Sequence, residues 1–326
     1  MAQDLRGDLP RVRVANGQPM MTIAQRQNTP NNIRLLAAQR HMYSRAKLVH
    51  NIYAAAGLAL EFIAPWVILW TPDAKVTLDI VGAVAILLSI LLGRVVGGMV
   101  KRAATVQEQF DVDVFDLPWN RTLVGSKVTP ELIHAADAAF TGDRSKLENW
   151  YANTDNLPRP LDVLVCQRSG LVWDRRLRRS YAALFNAVTV GYLAFGIVIG
   201  VVTHQMLSGY IAALFIPSVP ALLEGVRIVK EHSEIATEEE RISDDVLDLW
   251  ERGLDDPTAA TIDECRRLQD CTYIKRSRGP LVPDRWYWLF RERHEMDMRA
   301  TVAELKAKAQ RKRVVNGGAG PRQQRT

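Results

Sequence analysis

The chain has 326 residues, 48% of them hydrophobic, with a formal net charge of +6 and a mean hydropathy of −0.09. Its three cysteines, Cys166, Cys265 and Cys271, exclude a paired disulfide framework and read as reduced thiols facing a cytoplasm. The positive charge does not demand a nucleic-acid partner. Most of the excess lies in the two termini, where anionic lipid accounts for it equally well, so no direct binding of DNA or RNA is expected.

Residues 1–47 are polar and basic, with no short apolar core near Met1, so no signal peptide is expected ahead of the first apolar run. Residues 48–100 then hold two apolar runs, Leu48–Trp70 and Val76–Val100, divided by the break Thr71-Pro72-Asp73-Ala74-Lys75. After a polar middle segment, 101–179, residues 180–229 hold two more, Ser180–Val202 and Met206–Val229, divided around Thr203-His204-Gln205. Each run reaches about the 20 residues that a helix needs to cross a hydrocarbon core. In lipid the backbone must satisfy its own polar groups, and the chain lacks barrel periodicity, so the runs should be helices. The expected fold is an all-α membrane protein: four transmembrane helices as two hairpins, with mainly helical cytoplasmic segments.

Lys and Arg placement sets the orientation. Arg6, Arg11, Arg13, Arg26, Arg34, Arg40, Arg45 and Lys47 precede the first span, whereas the first hairpin turn holds only Lys75 and the second none. The middle segment ends in Arg175, Arg176, Arg178 and Arg179. The positive-inside rule then puts both termini and the middle segment in the cytoplasm.

The spans carry polar side chains. Glu61 lies near the centre of the first, Asp79 and Arg94 in the second, and Glu224 with Arg227 at the inner end of the fourth, which Pro217 and Pro220 interrupt. A carboxylate at that depth is costly, so Glu61 should face a partner within a packed bundle or line a water-filled conduit. Arg94 and Arg227 are near enough to the boundary to snorkel. Gly191, Gly196 and Gly200 of the third span are spaced for close helix approach.

Thr129-Pro130-Glu131 predicts a helix start opening Leu132–Phe140. The fourth span should run on as a charged amphipathic helix, Ile228–Gly253, followed by a helix near Ala260–Arg276, the loop Ser277–Pro283 and a long helix from Asp284 to about Lys312. Together 230–313 form a cytoplasmic helical domain. Residues 1–30 and the tail 314–326 should be disordered.

Catalytic signatures are poor. None of His41, His50, His134, His204, His232 and His294 belongs to an H-x-x-x-H or H-E-x-x-H arrangement, and there is no C-x-x-C pair or phosphate-binding P-loop. Neither Ser126 nor Ser169 sits in a nucleophile elbow. No enzyme activity, cofactor or metal is expected. The carboxylates of 108–116 read as a solvated cap.

That acidic stretch is nevertheless distinctive. Phe110-Asp111-Val112-Asp113-Val114-Phe115-Asp116-Leu117-Pro118-Trp119-Asn120 alternates apolar residues with carboxylates and ends in a rigid turn. With two apolar hairpins, it resembles the SMODS- and SLOG-associating four-transmembrane effector family. The likeness continues at Trp150-Tyr151, Leu157-Pro158, Cys166-Gln167-Arg168, Trp173-Asp174 and Arg178, and again at Leu268-Gln269-Asp270, Tyr273, Arg276, Leu281-Val282-Pro283-Asp284 and Tyr287. The resemblance spans roughly residues 25–310. It implies an effector of bacterial conflict and antiphage systems, encoded beside a nucleotidyltransferase, that perforates the inner membrane when a nucleotide second messenger triggers it.

A four-span protomer has no room for a wide bore, so a sizeable pore requires a homo-oligomer in the lipid bilayer. A cyclic nucleotide ligand would need guanidinium groups for phosphate and aromatic rings for bases. Trp119, Trp150, Tyr151, Arg168, Trp173, Arg175 and Arg176 offer that mixture, although the same residues also read as core anchors and headgroup contacts. A small ion channel or secondary transporter using Glu61, or a membrane-anchored receptor, are the rival readings.

Overall fold

The computed structural model describes residues 21–204 and 206–318, and every regular element among them is helical. Residues 1–20 and 319–326, expected to be disordered, lie outside the described residues. Residues 23–27, also expected to be disordered, instead form helix α1 (Ile23–Gln27), because Thr22 and Gln25 close a reciprocal capping box.

Three long helices dominate. α2 (Pro30–Trp70) begins where Thr29 caps the Asn32 N–H and Pro30 takes the first helical position. α3 (Lys75–Phe115) and, after the short α4 (Arg121–Val124) and α5 (Pro130–Ala138), α6 (Leu161–Val202) contain no proline at all. At 1.5 Å per residue each long helix measures about 60 Å, roughly twice a bilayer core. The expected boundaries at 47/48, 100/101 and 179/180 therefore fall inside continuous helices. Each rod carries an apolar half and a polar half in one continuous helix. α3 ends because Asp116 adopts a left-handed conformation (φ 52°) just ahead of Leu117-Pro118, and Leu117 N–H returns to the Val112 carbonyl at 3.0 Å.

Among the described residues α2, α3 and α6 are long and apolar enough to cross a membrane. The fourth apolar run is not one regular helix. It is shared among α7 (Leu207–Tyr210), a π-turn over Ile211–Phe215 and the first turns of α8 (Ile216–Asp255). Pro217 and Pro220 each withdraw an N–H from the ladder, and the turn ahead of them widens. α8 then runs on as the charged helix read from the sequence. α9 (Ile262–Arg278) and α10 (Asp284–Gly318) follow; a capping box between Thr261 and Glu264 starts α9.

α2 packs along α3, and α6 along α8, giving two helical hairpins. The second is tight at Gly225, where a Cβ would stand 2.1 Å from Thr189 Oγ1. Tyr210 lies over Gly200 in the same way, whereas Gly191 faces open space. Apolar side chains in the outer halves are bare: Leu87 is 63% exposed and Val202 66%. The buried core lies in the inner halves, where Leu36, Phe110, Phe115, Leu164 and Trp250 are shielded.

A polar network crosses that core. The carboxylates expected to form a solvated cap lie instead on the last turns of α3, with Glu108 and Asp111 fully buried. Their helical spacing turns both toward α9, and water is excluded there. Asp111 accepts from Tyr151 Oη (2.6 Å), from Gln269 Nε2 (3.0 Å) and from the Arg276 guanidinium. Glu108 accepts from Arg266 (2.5 Å) and from Gln269 (2.8 Å). Arg266 also reaches the Pro118 carbonyl at 3.1 Å and Asp270 at 2.8 Å, and Asp270 accepts from Asn120.

Breaking such a pair from one side leaves a buried charge with less compensation, at a typical cost of about 3–5 kcal/mol. Arg276→Met is therefore expected to destabilise the protein strongly, as measured by denaturant unfolding in detergent. The double change Asp111→Asn with Arg276→Met should recover part of the loss. Equal stability of Arg276→Met and the native chain would contradict the role of the pair.

Candidate functional site

Just beyond the bare halves of the helices the polar halves surround a partly open cavity of about 280 Å³. α2 lines it with Gln39, Arg40, Tyr43 and Lys47, and α3 with Gln107 and Phe115. α6 contributes Gln167, Trp173, Asp174 and Arg178, and α8 contributes Glu239. Lys275 and Arg276 of α9, Tyr287 and Arg291 of α10, and the loop residues Lys146, Trp150 and Tyr151 complete the wall. All four helices that run on into the apolar halves thus meet at one space.

Part of this wall is a cation–aromatic clamp. The Arg40 guanidinium lies 5.3 Å from the Trp150 ring centre, 4.8 Å from Tyr287 and 5.0 Å from Trp288, and donates to Tyr287 Oη at 2.6 Å. Lys146 and Arg291 stand 5.2 and 5.0 Å from Trp288, and Trp173 packs on Tyr287 at 4.7 Å. Charge held against ring faces in this way is attractive by about 0.5–2 kcal/mol per contact. α10 is fastened beside the clamp. Asp284 accepts from Ser44 (2.9 Å) and Lys47 (2.7 Å) of α2, and Trp286 Nε1 donates to Ser180 of α6 at 3.0 Å.

A second part is a cluster of charged groups. Arg178 donates to Asp174 at 2.7 Å and to the Pro280 carbonyl at 3.1 Å. Burial, and then the neighbouring Asp174 charge, push the Glu239 carboxyl far above the usual carboxylate range. Burial also pushes Asp174 up, but Arg178 and a proton donated by Glu239 overcome it and hold Asp174 below its ordinary value. Burial, followed by the charge of Arg178, drives His232 down to about 4, so its ring is neutral near pH 7. The pair Glu239–Asp174 thus shares one negative charge and one proton.

The residues expected to sense a ligand divide between two places. Phe115, Trp150, Tyr151 and Trp173 line the cavity. Phe110, Asp111, Pro118, Trp119 and Asn120 do not: Phe110 is core, Asp111 pairs with Arg276, and the Pro118 carbonyl accepts from Arg266. Trp119 Nε1 donates to the Gly125 carbonyl, and Asn120 to Asp270. Arg168 donates to the Ser243 carbonyl, and Arg175 and Arg179 pair with Glu240. Of the polar groups in the spans, Asp79 pairs with Lys75 at 2.8 Å on an exposed face, Arg94 is exposed, and Glu224 pairs with Arg227. Glu61 keeps a buried Oε2 without a hydrogen-bond partner. Sequence reasoning passed over Arg40, Lys146, Lys275, Arg291 and Trp288. The aromatic run Trp286-Tyr287-Trp288 could have marked Trp288, but no local pattern marked the four cations. No group of three or more His, Cys, Asp or Glu residues among those described is placed to hold a metal ion.

Protonation of Glu239 has a measurable consequence. An unfolded carboxyl loses its proton near pH 4.5, whereas Glu239 in the fold keeps it well above that. The folded chain then binds the extra proton, so stability from this group falls as pH rises above 4.5. Glu239→Gln, which carries no titrating proton, should flatten that fall and raise the thermal midpoint more at pH 8 than at pH 5. Parallel pH profiles for the two proteins would count against a protonated Glu239.

The family described as SMODS-associating 4TM effector domain matches residues 21–305. A Bacillus cereus (strain VD146) protein named a probable CBASS effector molecule is 27% identical over 282 residues, which is 84% of this chain and 95% of the relative. No solved structure matches. Match length and helices of membrane-crossing length agree, and the chain belongs to the SMODS-associating 4TM effector family of membrane proteins.

Proposed function

We propose that this protein is a pore-forming membrane effector of antiphage defence, switched on when a nucleotide second messenger from a cognate nucleotidyltransferase enters the cytoplasmic cavity. It acts in the bacterial inner membrane as a four-span protein with both termini in the cytoplasm. The family match and the relative's name, a CBASS effector molecule, support the defence role. The observation that carries the trigger is the meeting of α2, α3, α6 and α8 at one cavity lined by Arg and Lys side chains and aromatic rings. Guanidinium and ammonium groups suit phosphate, and aromatic faces suit bases. A ligand that prefers one arrangement of those four inner segments shifts the outer segments with them, because each helix is continuous through the boundary.

Perforation requires several protomers. A bundle of four helices fills its own centre with side chains, so an aqueous path opens only between copies. The bare apolar faces of the outer halves are available to lipid and to neighbouring copies. Glu61, with one carboxylate oxygen lacking a partner, is the group best placed by chemistry to meet water in such a path. This unpartnered oxygen keeps the channel or transporter reading alive as the second choice; constitutive flux in resting cells would favour it. No step of bond chemistry enters the mechanism.

Overproduction together with a second-messenger synthetase should depolarise the bacterial inner membrane within minutes, followed by a potential-sensitive dye. Glu61→Leu should weaken the depolarisation severalfold while leaving the protein in the membrane. Growth arrest with an unchanged membrane potential would exclude perforation.

A further inference from the structure

Several buried polar atoms without a partner belong to residues of the cavity wall: Gln39, Arg40, Gln167, Glu239, Lys275 and Arg291. Gln39 and Gln167 are both more than nine-tenths buried, and each has a carbonyl oxygen without a donor. Their orientations are fixed by the other end of the amide. Gln39 Nε2 faces Gln107 Oε1 at 3.4 Å, and Gln167 Nε2 donates to the Cys265 carbonyl at 2.8 Å and to Gln269 Oε1 at 3.3 Å. The Cys265 backbone carbonyl fixes the Gln167 amide, so its Oε1 remains an acceptor only, and Gln39 takes the same orientation here against the amide of Gln107. Lys275 Nζ and one nitrogen of Arg291, Nη1, likewise belong to the wall, are buried and lack an acceptor, although Arg291 Nη2 donates to the Lys146 carbonyl at 2.9 Å. Arg178 and Arg276, by contrast, are already engaged by Asp174, the Pro280 carbonyl and Asp111. A buried acceptor or cation left without a partner is destabilising, and a bound molecule that supplies the missing groups removes that cost.

We infer that the cavity takes a nucleotide bearing an amino-substituted base: Gln39 and Gln167 accept the N–H groups of the base, while Lys275, with Arg291, holds phosphate. This deepens the trigger reading of the cavity and rests on it. A bare polyanion would satisfy Lys275 and Arg291 yet leave two glutamine oxygens stranded. A neutral amine would do the reverse. Only a ligand with phosphate at one end and N–H donors at the other answers both sets. Uracil, with a single N–H and two carbonyls, fits two acceptors worse than adenine, guanine or cytosine with an exocyclic amino group.

The test uses the full chain in lipid nanodiscs and titration calorimetry with two probes, cyclic di-adenylate and cyclic di-uridylate. Cyclic di-adenylate should bind at least tenfold tighter. Gln167→Met, close in shape but without the acceptor, should bring the two affinities within about threefold of each other; Gln39→Met serves the same end if the first variant does not fold. Lys275→Met should weaken both probes at least tenfold without changing their ratio. Equal affinities for the two probes in the native protein, or a ratio unmoved by both glutamine changes, would overturn the base assignment and leave the trigger reading intact. Undiminished binding by Lys275→Met would overturn the phosphate assignment alone. If neither probe binds, and depolarisation in cells is indifferent to the synthetase, the trigger reading itself fails and this inference with it.

Discussion

Glu108 and Asp111, one turn apart on the inner end of α3, are buried with Arg266, Gln269 and Arg276 of α9 and with Tyr151 from the loop before α6. Two carboxylates in a dry interior are tolerable only if every oxygen is answered by a donor. Burial and the nearby Asp111 charge push Glu108 up to about 7, even though Gln269 and Arg266 pull it the other way. The groups that answer them are supplied from more than a hundred residues away for α9. The network therefore ties the first hairpin to α9, and both contribute to the wall of the cavity.

The rest of the architecture follows from putting that inner domain on the ends of long rods. Apolar side chains of the outer halves have no internal partners, and lipid is the environment that suits them. Polar side chains of the inner halves have partners on other helices. Because α2, α3 and α6 pass between the two environments without a break, a change at the cavity has a mechanical route outward that a flexible linker would have dissipated. α8 differs. Its two prolines and the π-turn ahead of them place an irregular segment in the fourth run, where the ladder is already weakened and a change of helix packing costs least.

The cavity combines two kinds of unsatisfied chemistry. The clamp of Arg40 with Trp150, Tyr287 and Trp288 sets one cation against three rings, with the Arg40 Nε left without an acceptor. Lys275, Arg291, Gln39 and Gln167 are not complete either. Open donors and acceptors on one wall are the basis on which we propose a ligand with both phosphate and base character.

Much of this was legible without coordinates. Runs of about 20 apolar residues can only be helices in lipid, and the charge asymmetry around them predicts their direction. The capping residues Thr129-Pro130 and the amphipathic stretch after Val229 named their helices within a few residues. The string from Phe110 to Asn120 was recognisable as distinctive, but its meaning was not. Helical spacing alone does not tell a carboxylate facing solvent from one facing a guanidinium on a distant helix. Glu108 and Asp111 looked like a solvated cap for that reason. The same limit hid Lys275 and Gln39: each is an ordinary residue on an ordinary helix, and only tertiary packing decided which of its neighbours would leave it without a partner. The sequence alone determined that the chain makes long helices and which stretches of them are apolar, because those depend on local composition. Which polar groups meet, and which stay unmet inside a shared cavity, depends on long-range contacts that no local pattern encodes.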